Sequence, residues 1–190
     1  MADSQAKLVH REDHQGVATL TINRPDKLNA LNVAVFVELD RHVQAVASQT
    51  DQVGCVVLRG AGKCFSAGHD MNDISSGEHP PAPDFQARTI EALACLPQPV
   101  VSAVHGHCYT GALELALAAD IILAASDVRF ADTHAKWGLT PRWGGSQRLA
   151  RRVGQSVAGE LMHTCRTVLA EEALRLGLCN RVFPAQTFGA

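Results

Sequence analysis

The alternation of apolar and polar positions divides the chain into short, regular pieces. Residues 7–11 and 17–23 read as strands, and His14-Gln15-Gly16 between them is a hairpin signal. Arg24-Pro25-Asp26 ends the second strand. The spacing of Val35, Phe36, Leu39, Val43 and Val46 predicts a helix over Val33–Ala47 with Asn32 as its N-cap. Residues 55–58 form a short, wholly apolar run, as expected for a strand covered on both faces. Residues 60–68 are glycine-rich loop, and SSGEHPPAP at 75–83 reads as a mobile surface loop. A helix over 84–96 stops before Pro97 and Pro99, and Val100–Val104 is a buried strand. An apolar helix then opens near Gly111, followed by a strand at 120–125 and helices at 153–165 and 170–176. Gly177 stops the last of these. A strand-like 180–183 and a PAQTFGA tail, expected to fray, close the chain. The recurrence of strand and helix predicts an α/β fold with parallel pairings.

Composition narrows the possibilities. A length of 190 residues suits one domain, 1–190, that buries about 70% of its unfolded surface. The 46% hydrophobic and 19% charged content is that of an ordinary soluble protein. A net charge of -2 argues against nucleic acid or an acidic membrane as partner, and the 5% aromatic content against a base-stacking platform. No apolar run is long enough to span a bilayer. The N-terminal MADSQAKLVHRED lacks the apolar core of a secretion signal and is too acidic and short for a transit peptide, so a cytoplasmic location is expected. The six cysteines are scattered without C-x-x-C spacing, and most sit in apolar patterns that suggest reduced, buried thiols. His105 and His107 form an H-x-H pair without a convincing third ligand, so no metal is expected.

Candidate chemistry concentrates in HGHCYTGALELALAAD, residues 105–120. A strand runs into a glycine-bearing turn, and Gly111 opens a helix that carries Glu114 one turn inside. Glycine lets a backbone N–H approach a ligand closely, and a helix start leaves that N–H without an internal partner. An oxygen gaining negative charge is stabilised there. Three residues along, Glu114 can face the same ligand. The alternative is a helix whose first-turn carboxylate simply complements the dipole. LRGAGKCFSAGHDMNDI, residues 58–74, is a second strand-to-glycine-loop transition, in which Ser66-Ala67-Gly68 leaves backbone amides accessible. One N–H from each loop makes a two-donor oxyanion hole.

Together these stretches resemble the enoyl-CoA hydratase/isomerase, or crotonase, family. Five ordered blocks carry the resemblance: LTINRPDKLNALN, LRGAGKCFSAGHDM, VSAVHGHCYTGALELALAADIILA, FADTHAKWGLTPRWGGSQRLARRVG and LRLGLCNRV. The resemblance implies a crotonase-like (ClpP/crotonase) spiral of β-β-α units that binds acyl-CoA thioesters and works through an enolate, with no separate cofactor. Members usually continue past LGLCNRV with helices that pack over the site and against neighbours. This chain therefore reads as a single core domain with that region largely absent. A homotrimer or dimer of trimers, acting in fatty-acid metabolism, is the implied setting.

By the same resemblance, the oxyanion amides fall on His69 and Gly111. At His69 only the backbone N–H is carried over; its imidazole replaces a small residue and either faces solvent or crowds the acyl group. Ala67, Gly68, Asp70, Met71 and Asn72 belong to a loop lining the CoA channel, and Lys27 and Leu28 to a CoA-contacting turn. Lys27 either meets phosphate or is a solvated lysine. Hydratases of the family use two glutamates. Glu114 matches the first, whereas His134 stands at the second. An imidazole with an ordinary pKa near 6.5 suits proton transfer, and Asp132 either orients it or faces the site itself. Trp137 and Trp143 border the acyl pocket or are plain core. Arg148, Arg151 and Arg152 read as a solvated or subunit-facing surface. Hydration of a 2-enoyl-CoA is the expected activity. Isomerisation, thioester hydrolysis, decarboxylation and non-catalytic acyl-CoA binding are the alternatives.

Overall fold

The first hairpin forms where alternation gives way to turn residues. β1 (Val9–His14) and β2 (Val17–Ile22) pair antiparallel, and Gln15 and Gly16 between them have φ of 47° and 78°. Positive φ at both central positions matches the twist of the flanking strands. α1 (Val33–Ala47) has the predicted bounds: the Asn32 side chain accepts from the Val35 N–H at 2.9 Å, and the five predicted apolar residues are the buried ones. The computed structural model describes residues 7–188. The leader reading of the N-terminus rests partly on residues 1–6 and lies to that extent outside the described residues, as do the last two residues of the tail.

β2 continues in parallel with β3 (Cys55–Gly60), β4 (Val100–Val104), β6 (Ile121–Ala125) and β9 (Arg181–Phe183), giving a six-stranded sheet ordered β1-β2-β3-β4-β6-β9. A smaller sheet joins β5 (His107–Tyr109), β7 (Arg129–Ala131) and β8 (Val168–Leu169). α2 (Met71–Ser76), α3 (Phe85–Ala94), α4 (Gly111–Ala116), α5 (Gly145–Val153), α6 (Gln155–Thr164) and α7 (Ala170–Arg175) complete the elements. Phe36 and Leu39 of α1, Ile90 of α3, and Leu20 and Leu58 of the sheet share one fully buried core. No helix among the described residues is long and apolar enough to cross a membrane.

The spiral follows from a repeated step: a strand in the large sheet, a short strand in the small one, then a helix. β4-β5-α4 makes it in full, and β6-β7 makes its two strands before the 3-10 turn His134–Trp137. β3 makes a reduced version, in which Ser66 alone pairs with Cys108 of β5 in parallel register. Successive turns therefore stack Ser66, Cys108 and Phe130 side by side. His69, Gly111 and Asp132 each follow one of these shortly in sequence, so one stacking operation gathers residues from three distant segments.

The structure departs from expectation at several points. β5 and β7 are three residues each and carry His and Arg, too short and polar to show alternation. The 70–72 stretch is not all loop: α2 begins at Met71 with Asp70 as its cap, and Ser75 and Ser76 end that helix rather than begin a loop. β3 is not covered equally on both faces. Val56 and Leu58 are buried, whereas Cys55 and Val57 are half-buried on a face partly roofed by residues 185–188. Those residues fold back, with Ala185 N–H donating to Ser126 Oγ at 3.1 Å, instead of fraying. The cysteines are free thiols, and Cys64, Cys108, Cys165 and Cys179 are buried.

Candidate active site

α4 is buried at every position, Glu114 included. A carboxylate so placed needs partners. Its Oε1 accepts the backbone N–H groups of Trp143 and Gly145, both at 2.8 Å. Those donors reach it because the 143–145 strap crosses the start of α4, held by Arg148, whose guanidinium donates to Trp143 O at 2.8 Å and ion-pairs with Glu91. Arg152 likewise donates to Ala119 O at 2.7 Å. Arg148 and Arg152 are thus packing residues rather than a solvated surface; only Arg151 is exposed.

The second oxygen of Glu114 lies 3.5 Å from His134 Nε2. His134 Nδ1 is 2.6 Å from Asp132 Oδ1, which also accepts the His134 backbone N–H at 3.1 Å. An ionised carboxylate only accepts, so Nδ1 carries hydrogen and Nε2 is the atom turned to Glu114. Asp132 orients the imidazole, and all three side chains are buried. Burial raises the Glu114 carboxyl above its ordinary range, against the opposing pull of the two N–H groups and of His134. Burial alone would lower the His134 imidazole, but hydrogen bonding and charge from Asp132, with the charge of Glu114, raise it overall.

Two backbone amides flank this row. Gly111 N–H belongs to the first turn of α4 and has no intrahelical acceptor. His69 pairs with Leu31 as a parallel bridge in which Leu31 bonds Gly68 O and the Asp70 N–H, so His69's own N–H points away from Leu31. The loops touch: a Cβ on Gly68 would lie 2.3 Å from Thr110 Oγ1. Thr110 takes φ 48° and ψ -115°, a conformation unfavourable for a β-branched residue, as the chain swings from β5 into α4. Gly111 has no room for a side chain, since a Cβ would lie 2.4 Å from the Trp143 ring.

His69, Gly111, Glu114, His134 and Trp143 all line one cavity of about 360 Å³, a size that suits a small-molecule site. Leu139, Thr140, Ile74, Glu78, Gln86 and Ala87 contribute to its wall. Trp143 is buried there, whereas Trp137 is 61% exposed. The His69 imidazole is neither a solvent-facing bystander nor loose: its Nε2 is hydrogen-bonded to Glu78 Oε1 and its ring packs, tilted, on Trp143 at 4.6 Å between ring centroids. Glu78 was not foreseen; only the tertiary pairing with His69 marks it.

The remaining expected residues lie beside the cavity rather than on its wall. Lys27 ends a one-turn 3-10 helix after β2 and Leu28 caps it; both are exposed, and Leu28 O accepts the Ala67 N–H at 2.9 Å. Buried Asn29 pins that turn by donating to Ala61 O and Cys64 O. The Gly68 N–H bonds Ser66 Oγ. Asp70 is tied to Arg24 at 3.0 Å, which together with its N–H bond holds its carboxyl below the ordinary range even though burial works the other way. Met71 and Asn72 are exposed on α2. The two turns thus form one contiguous rim.

A Cβ on Gly145 would stand 2.7 Å from Glu114 Cγ and 2.9 Å from its Oε1. Gly145→Ala is therefore expected to displace the carboxylate, lowering turnover about 100-fold and stability by about 1–3 kcal/mol. Parallel thermal melts and rate measurements check it. An unchanged rate would mean that the position of Glu114 does not matter.

The family model described as enoyl-CoA hydratase/isomerase matches residues 12–189. The short-chain-enoyl-CoA hydratase of Clostridium acetobutylicum is 38% identical over 170 residues, covering 87% of this chain and 65% of that protein. The chain thus spans just under two thirds of the length of this relative. Among solved structures, an enoyl-CoA hydratase from Mycobacterium avium subsp. paratuberculosis superposes with TM-score 0.86 at 33% identity, covering 96% of this chain and 70% of that one. An enoyl-CoA hydratase from Thermobifida fusca described as putative, in complex with CoA, gives 0.87 at 27% identity, covering 96% and 74%.

Proposed function

Since the chain belongs to the enoyl-CoA hydratase/isomerase family, we propose that it adds water across the double bond of a 2-enoyl-CoA, giving the 3-hydroxyacyl-CoA. One observation carries this reading: Glu114 and His134, with Asp132 behind the imidazole, line the same cavity as His69 and Gly111, whose backbone amides are free. Glu114, as carboxylate, takes a proton from water while the water oxygen bonds to the β-carbon. The electron pair of the double bond moves onto the thioester oxygen, where the two amides stabilise it. His134, as imidazolium, then gives its Nε2 proton to the α-carbon. The proton on Glu114 returns to Nε2 across the 3.5 Å between them, and the site is reset. Asp132 is a positioning residue that fixes the ring and its tautomer.

His134 thus does the work expected of a second carboxylic acid. The thioester is the substrate and no separate cofactor is called for. The rim formed by Lys27, Leu28 and residues 67–72 is where the CoA portion would lie, outside the cavity that takes the acyl group. Purified protein incubated with 2-enoyl-CoAs is expected to yield a product heavier by one water, hydroxylated at the β-carbon. Accumulation of free CoA would point to hydrolysis, and a shifted double bond to isomerisation. No conversion of any enoyl-CoA by folded protein overturns the reading.

A further inference from the structure

The cavity wall beyond the acid–base row is more polar than a hydrocarbon tail requires. Glu78, from the loop between α2 and α3, is hydrogen-bonded through Oε1 to His69 Nε2, and Gln86 Nε2 donates to the same oxygen at 3.3 Å. The side chains of His69 and Glu78 are each 22% exposed, and Gln86 is 5% exposed. All three line the cavity. Both contacts fall on one carboxylate oxygen, leaving Oε2 open as an acceptor. The His69 ring, backed by Trp143, stands directly on the residue whose N–H is assigned to the thioester oxygen. An acyl group held in this cavity shares it with this wall.

We propose that the His69–Glu78–Gln86 wall selects the acyl group: the site takes short acyl chains such as crotonyl and disfavours long hydrocarbon tails. The inference rests on the acyl-CoA reading above. A long tail laid over Glu78 strips its remaining water and returns no hydrogen bond, a cost that offsets its apolar burial. A short chain ends before it must cover the carboxylate. In a purely apolar pocket each added methylene would instead strengthen binding about fourfold.

The test uses saturated acyl-CoAs, which bind without reacting. Calorimetry should give wild-type protein a decanoyl-CoA affinity no higher than its butyryl-CoA affinity. Glu78→Leu should raise the ratio of decanoyl-CoA to butyryl-CoA affinity at least tenfold. Glu78→Gln, which keeps the side-chain shape, should raise it by less. Wild-type protein that binds decanoyl-CoA more tightly than butyryl-CoA overturns the proposal, as does a ratio that neither variant moves. Protein that binds these thioesters but hydrates no enoyl-CoA refutes the hydratase reading alone; protein that binds none refutes both.

Discussion

Glu114→Gln is expected to lower the hydration rate by about 1000-fold, the scale of a lost general base, with the fold intact. The glutamine oxygen can still accept the Trp143 and Gly145 N–H groups that hold Oε1 at 2.8 Å, so the strap across α4 keeps its anchor. What disappears is the ionisable oxygen facing His134. An amide cannot take a proton from water near neutrality, and its NH₂ group would meet the imidazolium as a second donor. Butyryl-CoA should still bind, because Glu114 is assigned no thioester contact. The loss should therefore appear in kcat rather than KM. Steady-state kinetics, a thermal melt and a butyryl-CoA titration on one preparation separate the effects. A rate within tenfold of wild type removes Glu114 from the mechanism.

Asp132→Asn should produce the second large effect, and its signature is a changed pH profile. In the wild type, activity needs Glu114 ionised and His134 protonated. Because the Glu114 carboxyl is raised by burial, the acid limb should lie above the ordinary carboxylate range. Because Asp132 holds the proton on His134, the alkaline limb should lie above the ordinary imidazole value. The groups are coupled, so each limb belongs to the pair. Removing the Asp132 charge lowers the affinity of His134 for its proton and moves the alkaline limb down. The same negative charge raises Glu114, so the acid limb moves down as well. At pH 8 the variant should lose about 100-fold or more, and less as the pH falls and more of the imidazole is protonated. A profile parallel to the wild type would leave Asp132 with a merely structural role. Loss of the fold would be visible in the melt.

Much of the frame was legible because it is written locally. Asn32 and the spacing of Val35 to Val46 define α1 within one stretch, and Gln15-Gly16 closes the first hairpin at neighbouring positions. The start of α4 at Gly111, with Glu114 one turn in, follows from a glycine beside an apolar run. Short polar strands were not legible: β5 and β7 exist because Cys108 and Phe130 stack between turns of the spiral, and no three-residue window encodes that. Arg148 and Arg152 of α5 were misread for a related reason. A charged helix face looks solvated until Glu91 and the carbonyls of Trp143 and Ala119 are brought against it.

The sequence by itself determined the α/β class, most of the elements and the two glycine loops that offer backbone amides. Helical and strand periodicity, caps and turns are interactions among residues a few positions apart, so a single stretch carries them. Only the tertiary structure decided how Glu114 is held, that His134 turns Nε2 toward it, that Asp132 stands behind the ring and that Glu78 reaches His69. The hydrogen bonds on Glu114 join residues 29 and 31 positions apart. They exist because stacking successive turns of the spiral buries a carboxylate, and a buried charge takes the donors that the fold brings to it.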